Sequence, residues 1–308
     1  MSKFAARLER RAHLALDLTS ADIEAVLAPL IEGRFQADDP EWKAIRKRVK
    51  HKHRRLMRRH VEAPGFTRTV AHVDSTYADV WSSSLKELLH HGRRPVPYEW
   101  RGEGLLLQPQ ARRRLNHVLL RRALAAIDAQ RVLEVGAGNG FNLFLLAAQA
   151  PHLDLTGLEL TAAGLAAAQA IARKPELPRL IADASAAPIV DRTAHRHVRL
   201  VRGTAAALPF PDQSFDAVCT VLALEQMEQI AAQAFAELRR VTRRWVVMIE
   251  PFRDLNARGI CRDYVESRDY LSESMDGLTR HGLRPRAAFI DIPNKLQLHV
   301  GLVVAERR

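Results

Sequence analysis

From residue 131 onward, the chain alternates short apolar runs with stretches in which apolar residues recur at helical spacing. Strands that alternate with helices of this length form βαβ units, so the pattern predicts a parallel sheet covered by helices on both faces. The predicted strands are residues 131–135, 154–160, 197–203, 215–223 and 244–251, and the predicted helices are residues 141–149, 162–172 and 229–241.

Two further apolar runs follow, at residues 287–293 and 299–307. Only a short connection separates them, and a parallel pair needs a long crossover, so these two strands should pair antiparallel at the edge of the sheet. The pattern therefore predicts an α/β fold with a doubly wound, seven-stranded sheet whose last strand is antiparallel.

The first 104 residues show helical spacing instead. Thr19 and Ser20 precede acids in the manner of a helix start, and a second helix is expected after Pro40, with one apolar stripe through Trp42 and Ile45. Residues 61–108 are rich in Gly and Pro and indicate a connector that contains a helix at residues 75–91. We predict a helical, basic extension over residues 1–104, which closes over the site and adds to the substrate region, and a second domain over residues 105–308.

Charge is concentrated in the first part of the chain. Residues 1–130 hold 25 Lys and Arg against 15 Asp and Glu, and residues 43–60 hold ten Lys or Arg and no acid. Such a helix either binds phosphates or is a solvated surface. His51, His53 and His60 lie in it without Cys or carboxylates beside them, so no metal site is predicted.

The sequence shows no recognisable signal that would direct the protein to another compartment. The sequence has no apolar run long enough to span a membrane, and its first thirty residues lack a continuous apolar segment of the signal-peptide type. We therefore expect a cytoplasmic protein without a membrane partner.

Three glycines mark the candidate binding site. Residues 132–140 read VLEVGAGNG, which places Gly136, Gly138 and Gly140 between a strand and a helix. Bare backbone at such a turn lets a ligand with polar groups approach the main chain at a helix N-terminus. Glu134 precedes the glycines, and Glu159, at the end of the next strand, is suitably placed to bind the hydroxyl groups of a ribose.

The motifs together resemble the class I S-adenosylmethionine-dependent methyltransferases. The resemblance covers about residues 105–308 and rests on VLEVGAGNG, LTGLEL and GTAAALPFPDQSFDAV at residues 203–218, which is similar to the family pattern GDAxxLPFxDxSFDxV. It implies a Rossmann-like methyltransferase sheet and S-adenosylmethionine as the cofactor.

The resemblance also implies roles for individual residues. Glu134 would hold the ammonium of the cofactor, the glycine loop its methionine part, Glu159 its ribose, and the end of the fourth strand its sulfonium. The implied cofactor-binding residues are Glu134, Gly136, Ala137, Gly138, Asn139, Gly140, Glu159, Leu160, Gly203, Thr204, Ala205, Val221 and Leu222.

Two positions depart from the family pattern. Thr204 stands where the family usually has an Asp that accepts from the adenine amino group, and LALEQM stands where a His often follows the fourth strand. A mechanism that depends on that His is therefore in question.

Methyl transfer is an in-line displacement, so alignment of the nucleophile and exclusion of water matter most. A nucleophile that carries a proton also needs a base, and the candidate catalytic residues are Glu225, Glu250 and Tyr77. Tyr77 and Trp81, four residues apart, would cover the sulfonium or pack in the core, and Tyr98 and Trp100 would line a substrate pocket.

The leading hypothesis is a methyltransferase for a small-molecule acceptor, and the arginines of the extension would suit an anionic one. One alternative is an enzyme that consumes S-adenosylmethionine without methylating, for example by cyclising its amino acid portion and releasing methylthioadenosine. Another, supported by residues 43–60 alone, is a methyltransferase that binds RNA or a different polyanion. A protein that binds the cofactor without turnover is disfavoured by the intact Glu134, glycine and Glu159 set.

Overall fold

A large mixed sheet forms the centre of the molecule. The computed structural model describes residues 14–61, 66–82 and 94–308. The sheet has seven strands, and its strand order is β6-β5-β4-β7-β8-β11-β9. Its strands are β4 (Arg131–Val135), β5 (Asp154–Glu159), β6 (Arg199–Arg202), β7 (Phe215–Val221), β8 (Thr242–Glu250), β9 (Leu283–Phe289) and β11 (Gly301–Arg307).

The strand directions confirm the predicted fold class. Strands β4 to β8 pair in parallel, whereas β11 pairs antiparallel with both β8 and β9. Strand β9 begins at Leu283, before the predicted start at residue 287, directly after Gly282 ends a 3-10 turn in the left-handed conformation. The last pair of strands is therefore antiparallel, as the short connection predicted.

Helices cover the two faces of this sheet and the region before it. Their order agrees with the predicted alternation, and the helix at residues 141–149 has the predicted bounds. The helices are α1 (Ser20–Leu27), α2 (Pro40–Val61), α3 (Val70–Ser82), α4 (Ala111–Ala126), α5 (Phe141–Gln149), α6 (Ala162–Ala172), α7 (Arg179–Ala182), α8 (Ala231–Val241) and α9 (Gly259–Ser267).

Helix α5 is apolar around most of its circumference, and neighbouring elements bury it on both sides. Its sequence FNLFLLAAQ has buried residues at seven of nine positions. One side packs on the sheet, and the long passage at residues 173–197 lies over the other, where the backbone N–H groups of Val190 and Asp191 donate to the carbonyl of Ala148 at the C-terminal end of the helix. The passage therefore completes the burial of the helix that follows the glycine loop.

A second sheet that the sequence pattern did not predict joins the extension to the segment before the last strand. Strands β1 (Ile31–Phe35), β2 (Val96–Trp100), β3 (Glu103–Leu107) and β10 (Asn294–Lys295) form an antiparallel sheet of order β1-β3-β2-β10. The prediction of a helical extension was therefore incomplete. The predicted boundary between residues 104 and 105 falls inside β3, and the division into two domains stays a prediction.

Glycine in β3 allows the basic helix to pack on this second sheet. A Cβ atom at Gly104 would lie 2.2 Å from the indole of Trp42, so only glycine admits the ring there. Trp42 and Ile45 of α2 form a small core with Leu296. The predicted apolar stripe of α2 therefore faces β3 and the loop after β10, which leaves the basic residues on the opposite side.

Two predictions about helix ends have different outcomes. Thr19 caps α1, since its hydroxyl accepts from the backbone N–H of Asp22, whose carboxylate accepts from the backbone N–H of Thr19. Helix α3 confirms a helix inside the connector and is described up to Ser82, so the rest of the predicted helix at residues 83–91 lies outside the described residues.

In the part of the chain that the structure describes, no helix combines the length and the apolar character needed to cross a bilayer.

Candidate cofactor and acceptor site

A cavity of about 300 Å³ opens at the carboxyl ends of β4, β5 and β7. The strand order reverses direction between β4 and β7, and crevices at such points are the usual ligand sites of open α/β sheets. Twelve of the thirteen predicted cofactor-binding residues line the cavity. They are Glu134, Gly136, Ala137, Gly138, Asn139, Glu159, Leu160, Gly203, Thr204, Ala205, Val221 and Leu222.

All three glycines of the loop have positive φ angles, at +78° for Gly136, +55° for Gly138 and +77° for Gly140. Gly140 is the predicted residue that does not line the cavity, because it caps α5 and a Cβ there would lie 2.5 Å from the ring of Phe144. Gly140 therefore packs beneath the loop, and its contact with the cofactor stays a prediction.

Glu134 presents a buried carboxylate oxygen to the cavity. Its Oε1 accepts from the side-chain amide of Asn142 at 2.8 Å, whereas Oε2 has no hydrogen-bond partner among the described residues. Burial raises the pKa of Glu134 to about 8. A buried acceptor without a donor is costly, so this oxygen suits a ligand that brings a positively charged N–H group.

Two more lining residues of the cavity have buried polar atoms without partners in the described chain. They are the Nδ2 of Asn139 and the Oδ1 of Asn116, which lies on α4. Together with the free oxygen of Glu134 they make one donor and two acceptors, which match the ammonium and carboxylate of an amino acid group. The residues present therefore fit the methionine part of S-adenosylmethionine.

Glu159 connects the glycine loop to the start of α6. Its Oε2 accepts from the backbone N–H of Gly138 at 2.9 Å, and its Oε1 accepts from the backbone N–H and the hydroxyl of Thr161 at 2.9 and 2.7 Å. Each carboxylate oxygen has two lone pairs, so Oε2 retains capacity for a ribose hydroxyl. The carboxylate thus fixes the loop and remains an acceptor in the cavity wall.

The residues predicted to contact the adenine and the sulfonium also line the cavity. Thr204 uses its hydroxyl to accept from the backbone N–H of Ala206 at 3.3 Å, which stabilises a local turn. Leu222, directly after β7, has a φ of +54°, an unusual conformation for a branched side chain. Strain of this kind is concentrated at ligand sites, and Leu222 lines this cavity.

The structure gives Glu250 a structural role. This residue is fully buried and is not among the lining residues of the cavity. Its carboxylate accepts from the backbone N–H groups of Ala223, Leu224 and Glu225 at 3.0 to 3.2 Å, although burial still raises its pKa to about 7. Glu250 therefore anchors the turn after β7, and its catalytic role stays a prediction.

Glu225 lies one layer behind the cavity wall. Its Oε1 accepts from the amide of Gln226 at 2.7 Å, and Gln226 itself lines the cavity. Its Oε2 has no partner among the described residues, and burial, followed by the charge of Glu250, raises its pKa to about 8. A catalytic role for Glu225 stays a prediction, with Gln226 between its carboxylate and the cavity.

Helix α3 supplies the aromatic cover of the site. Tyr77 and Trp81 both line the cavity, and their rings stack at 6.1 Å with an angle of 30°. A Cβ at Gly138 would lie 2.6 Å from the indole of Trp81, so this ring rests on the glycine loop. Burial raises the pKa of Tyr77 far above its ordinary value, which keeps its hydroxyl protonated.

Tyr98 and Trp100 do not line the cavity, which corrects their predicted place in a substrate pocket. Both belong to β2 in the second sheet. The indole N–H of Trp100 donates to Asp291 at 2.8 Å, and the ring of Tyr98 lies under the guanidinium of Arg112 at 5.2 Å. These aromatic residues instead join the extension to α4 and to the loop before β10.

Sequence reasoning missed several residues of the cavity wall. Asn142 lies in the first turn of α5, where a polar residue two positions after Gly140 was the available signal. The missed lining residues include Arg68, Asn116, Asn142, Gln226 and Gln229.

Among the described residues, no group of three His, Cys, Asp or Glu side chains is arranged to hold a metal ion, and the expectation of no metal site stays a prediction.

Comparison with known proteins agrees with this geometry. Residues 133–247 match the family model described as a methyltransferase domain. The fold is similar to that of the [4+2]-cyclase SpnF, with 16% identity, a TM-score of 0.56 and coverage of 78% of this chain and 96% of that chain. No curated protein sequence is significantly similar to this chain.

Two further similar structures are those of magnesium protoporphyrin IX methyltransferase from Synechocystis PCC 6803. The form with bound S-adenosylhomocysteine has 10% identity, a TM-score of 0.52 and coverage of 78% of this chain and 99% of that chain. The form with bound S-adenosylmethionine has 11% identity, a TM-score of 0.51 and coverage of 80% and 99%. The seven-stranded sheet, the glycine loop with its two acids and the family model agree: residues 133–247 match a methyltransferase domain, the sheet has the class I methyltransferase fold, and the cavity residues fit S-adenosylmethionine as the cofactor.

Proposed function

We propose that this protein transfers a methyl group from S-adenosylmethionine to a small-molecule acceptor. The observation that supports the small acceptor is the cover formed by α3, which places Tyr77 and Trp81 in the wall of the cavity and rests Trp81 on Gly138. An acceptor site under an aromatic cover admits a compact molecule more readily than a folded macromolecule.

The residues of the cavity divide into those for the cofactor and those for the acceptor. Glu134 and Asn139 would hold the amino acid group, Glu159 the ribose, and Thr204 and Ala205 the adenine. When bound, the cofactor supplies a methyl group on a positively charged sulfur. This leaves the residues of α3 and Gln226, Met227, Gln229 and Ile230 to contact the acceptor.

The tasks of this chain in the reaction are alignment and exclusion of water. Val70, Val73 and the rings of Tyr77 and Trp81 provide an apolar wall from α3, which displaces water from the acceptor side. Glu225 is bonded to the lining residue Gln226, and its raised pKa makes it a stronger proton acceptor when it is ionised. The amide of Gln226 donates to Glu225, and Gln226 would in turn orient the reacting group of the acceptor.

A polyanionic partner is the second candidate, and the exposed face of α2 favours it. Lys43, Lys47, Lys50 and Arg54 follow one another at spacings of four, three and four residues, so they form one stripe of the helix. None of the described side chains of α2 lines the cavity, so this surface would dock a polymer rather than select the methylated atom.

The first experiment identifies the nucleoside product. The protein is incubated with S-adenosylmethionine alone, with the low-molecular-mass fraction of a cell extract, and with the RNA of that extract. We expect S-adenosylhomocysteine only with the low-molecular-mass fraction, and its loss in Glu134→Gln but not in the exposed control Glu32→Gln.

Two results would contradict the proposal. Methylthioadenosine formed without an acceptor, above spontaneous breakdown, would make the cofactor the substrate of a non-methylating enzyme. S-adenosylhomocysteine formed only with RNA would replace the small acceptor by a nucleic acid.

A further inference from the structure

Arg68 is a buried cation in the wall of the cavity. Its exposed fraction is 5%, and it lies just before α3, on the acceptor side. Arginine is rarely buried without a carboxylate or another strong acceptor, because desolvation of the charge is costly. The surroundings of Arg68 therefore show what its guanidinium is arranged to do.

The protein holds Arg68 from three sides. The backbone N–H of Arg68 donates to the carboxylate of Asp269 at 2.7 Å, and its side-chain Nε donates to the carbonyl of Arg268 at 2.9 Å. The guanidinium also lies over the rings of Tyr270 and Phe66, at 5.1 and 5.7 Å from their centroids. These contacts fix the plane of the guanidinium through its inner nitrogen and its faces.

The outer edge of the same group has no hydrogen-bond partner among the described residues, although its charge acts on the more distant carboxyl group of Glu225. Across residues 14–61, 66–82 and 94–308, neither terminal nitrogen of Arg68 makes a hydrogen bond, and no carboxylate lies within 4.0 Å of the guanidinium. Asp269 is directed elsewhere, since its Oδ2 also accepts from the amide of Gln229 at 2.9 Å. The pair of parallel N–H groups that guanidinium offers to an oxyanion thus remains available.

We propose that Arg68 binds a carboxylate of the methyl acceptor, so that the acceptor is an apolar or aromatic carboxylic acid. This inference rests on the proposed function, because it assigns the substrate class of the same site. The apolar body would lie against Val70, Val73 and Ile230, which line the cavity with Arg68. The amide of Gln229, already oriented by Asp269, lies beside the bound carboxylate.

The charge balance of the cavity favours a carboxylate over a phosphate. Arg68 and Arg113 are the cations of its described lining, and Arg113 lies at a different wall, over the ring of Phe141 in α5. A phosphate carries about two negative charges near pH 7 and would be poorly compensated by one guanidinium in a buried site. A carboxylate carries one charge and matches the two outer N–H groups.

The test uses simple probes on the full chain saturated with S-adenosylhomocysteine. Benzoate, phenylacetate and cinnamate represent the carboxylates, phenyl phosphate represents the phosphates, and benzamide is the neutral control. Binding is measured by calorimetric titration to the wild type, Arg68→Gln, Arg68→Lys and the exposed control Arg54→Gln. The affinity for S-adenosylhomocysteine is measured in every variant.

We expect at least one carboxylate to bind, with a loss of roughly tenfold or more in Arg68→Gln and an intermediate loss in Arg68→Lys, which keeps the charge without the planar fork. Arg54→Gln should bind the probe as the wild type does. If Arg68→Gln does not fold, Arg68→Lys carries the comparison, with unchanged circular dichroism as its control.

Three results would overturn the carboxylate site. They are equal binding of the carboxylates by the wild type and both Arg68 variants, binding of benzamide as tight as that of benzoate, and preference for phenyl phosphate. Each can occur while S-adenosylhomocysteine still binds, which would leave the proposed methyltransferase in place. Failure of S-adenosylhomocysteine to bind the wild type would instead contradict the proposed function.

Discussion

Gly138 combines three structural features of the site. Its φ angle is +55°, its N–H donates to Glu159, and the indole of Trp81 occupies the space that a Cβ atom would need. A methyl group there would need a left-handed backbone, which costs about 1 kcal/mol or more for a residue with a Cβ, and it would displace the ring. The loop, the acid of β5 and the cover from α3 therefore meet at this position.

Gly138→Ala should separate these effects when it is compared with Gly259→Ala. Gly259 has a similar φ of +59°, and a Cβ there would have no atom within 4 Å. We expect Gly259→Ala to lower the free energy of unfolding by about 1 kcal/mol in urea titrations, and Gly138→Ala to lower it further because its methyl group also displaces the ring of Trp81. Only Gly138→Ala should weaken S-adenosylhomocysteine binding, by roughly tenfold or more in a calorimetric titration. Equal affinity in the two variants would mean that Trp81 and the loop are independent of the cofactor.

Residue roles could be predicted from the sequence only where a local motif carried them. Glu134, the glycines and Glu159 lie in short segments whose strand and helix neighbours are visible in the pattern. Arg68 had no such signal, because the residue that accepts from its backbone is 201 positions away in the chain. The anchoring role of Glu250 had no local signal for the same reason, since its three donors lie on the turn after a neighbouring strand.

Helix α2 shows how a single element can combine a structural face with a charged one. Its apolar side packs Trp42 and Ile45 against Leu296 and the second sheet. Its exposed residues include seven cations that form no ion pair with any carboxylate in the described chain, whereas Arg46 pairs with Glu99. The seven are Lys43, Lys47, Arg48, Lys50, Lys52, Arg54 and Arg55.

If this face binds nucleic acid, binding should fall steeply with salt. We expect reversal of Lys47, Lys50 and Arg54 to Glu to abolish retention of a labelled RNA hairpin and, where binding is still measurable, to reduce the slope of log K against log salt by roughly three. The matched control reverses the exposed Lys174, Arg179 and Arg284, which changes the net charge equally. Fluorescence anisotropy over a salt series measures both. The same loss of affinity in the control would show that net charge, and not α2, attracts the RNA.

The elements themselves were predictable in proportion to their length and regularity. The strands of the large sheet are buried apolar runs with helices between them, and their order follows from ordinary rules of parallel connection. The second sheet escaped because its strands contain turn formers such as Gly33, Pro97 and Gly104 and do not alternate with helices, as the equally short β4 and β6 do. Its fourth strand also comes from residues 294–295, far from the other three in sequence.

On the scale of the whole molecule, buried ionisable groups determine how stability depends on pH. Burial raises the pKa values of Glu134 and Glu225 to about 8 and that of Glu250 to about 7, from 4.5. The folded state therefore retains protons that the unfolded chain has released, and the free energy of unfolding should fall as pH rises toward 8. Buried histidines act in the opposite direction, since burial lowers the pKa of His117 to about 4, but their effect ends near pH 6.5.

Between about pH 6.5 and pH 8, the change in the free energy of unfolding with pH should therefore come from the buried carboxyl groups alone. We expect the free energy of unfolding to decrease across this range, by at most about 1.4 kcal/mol per pH unit for each titrating carboxyl, in urea titrations. Glu134→Gln should reduce the slope, whereas Glu32→Gln, at an exposed position, should leave it unchanged. A flat or rising curve in the wild type would show that these carboxyl groups are ionised at ordinary pKa values in the folded protein.

The pairing of β10 with β2 has a consequence for how this architecture can be varied. Asn294 and Lys295 lie opposite Glu99 and Tyr98, and Asp291 accepts from the indole of Trp100. The second sheet is thus assembled from both ends of the chain. An exchange of N-terminal extensions between relatives, whether natural or by design, must therefore also exchange the segment before the last strand, so two separate stretches of sequence have to change together.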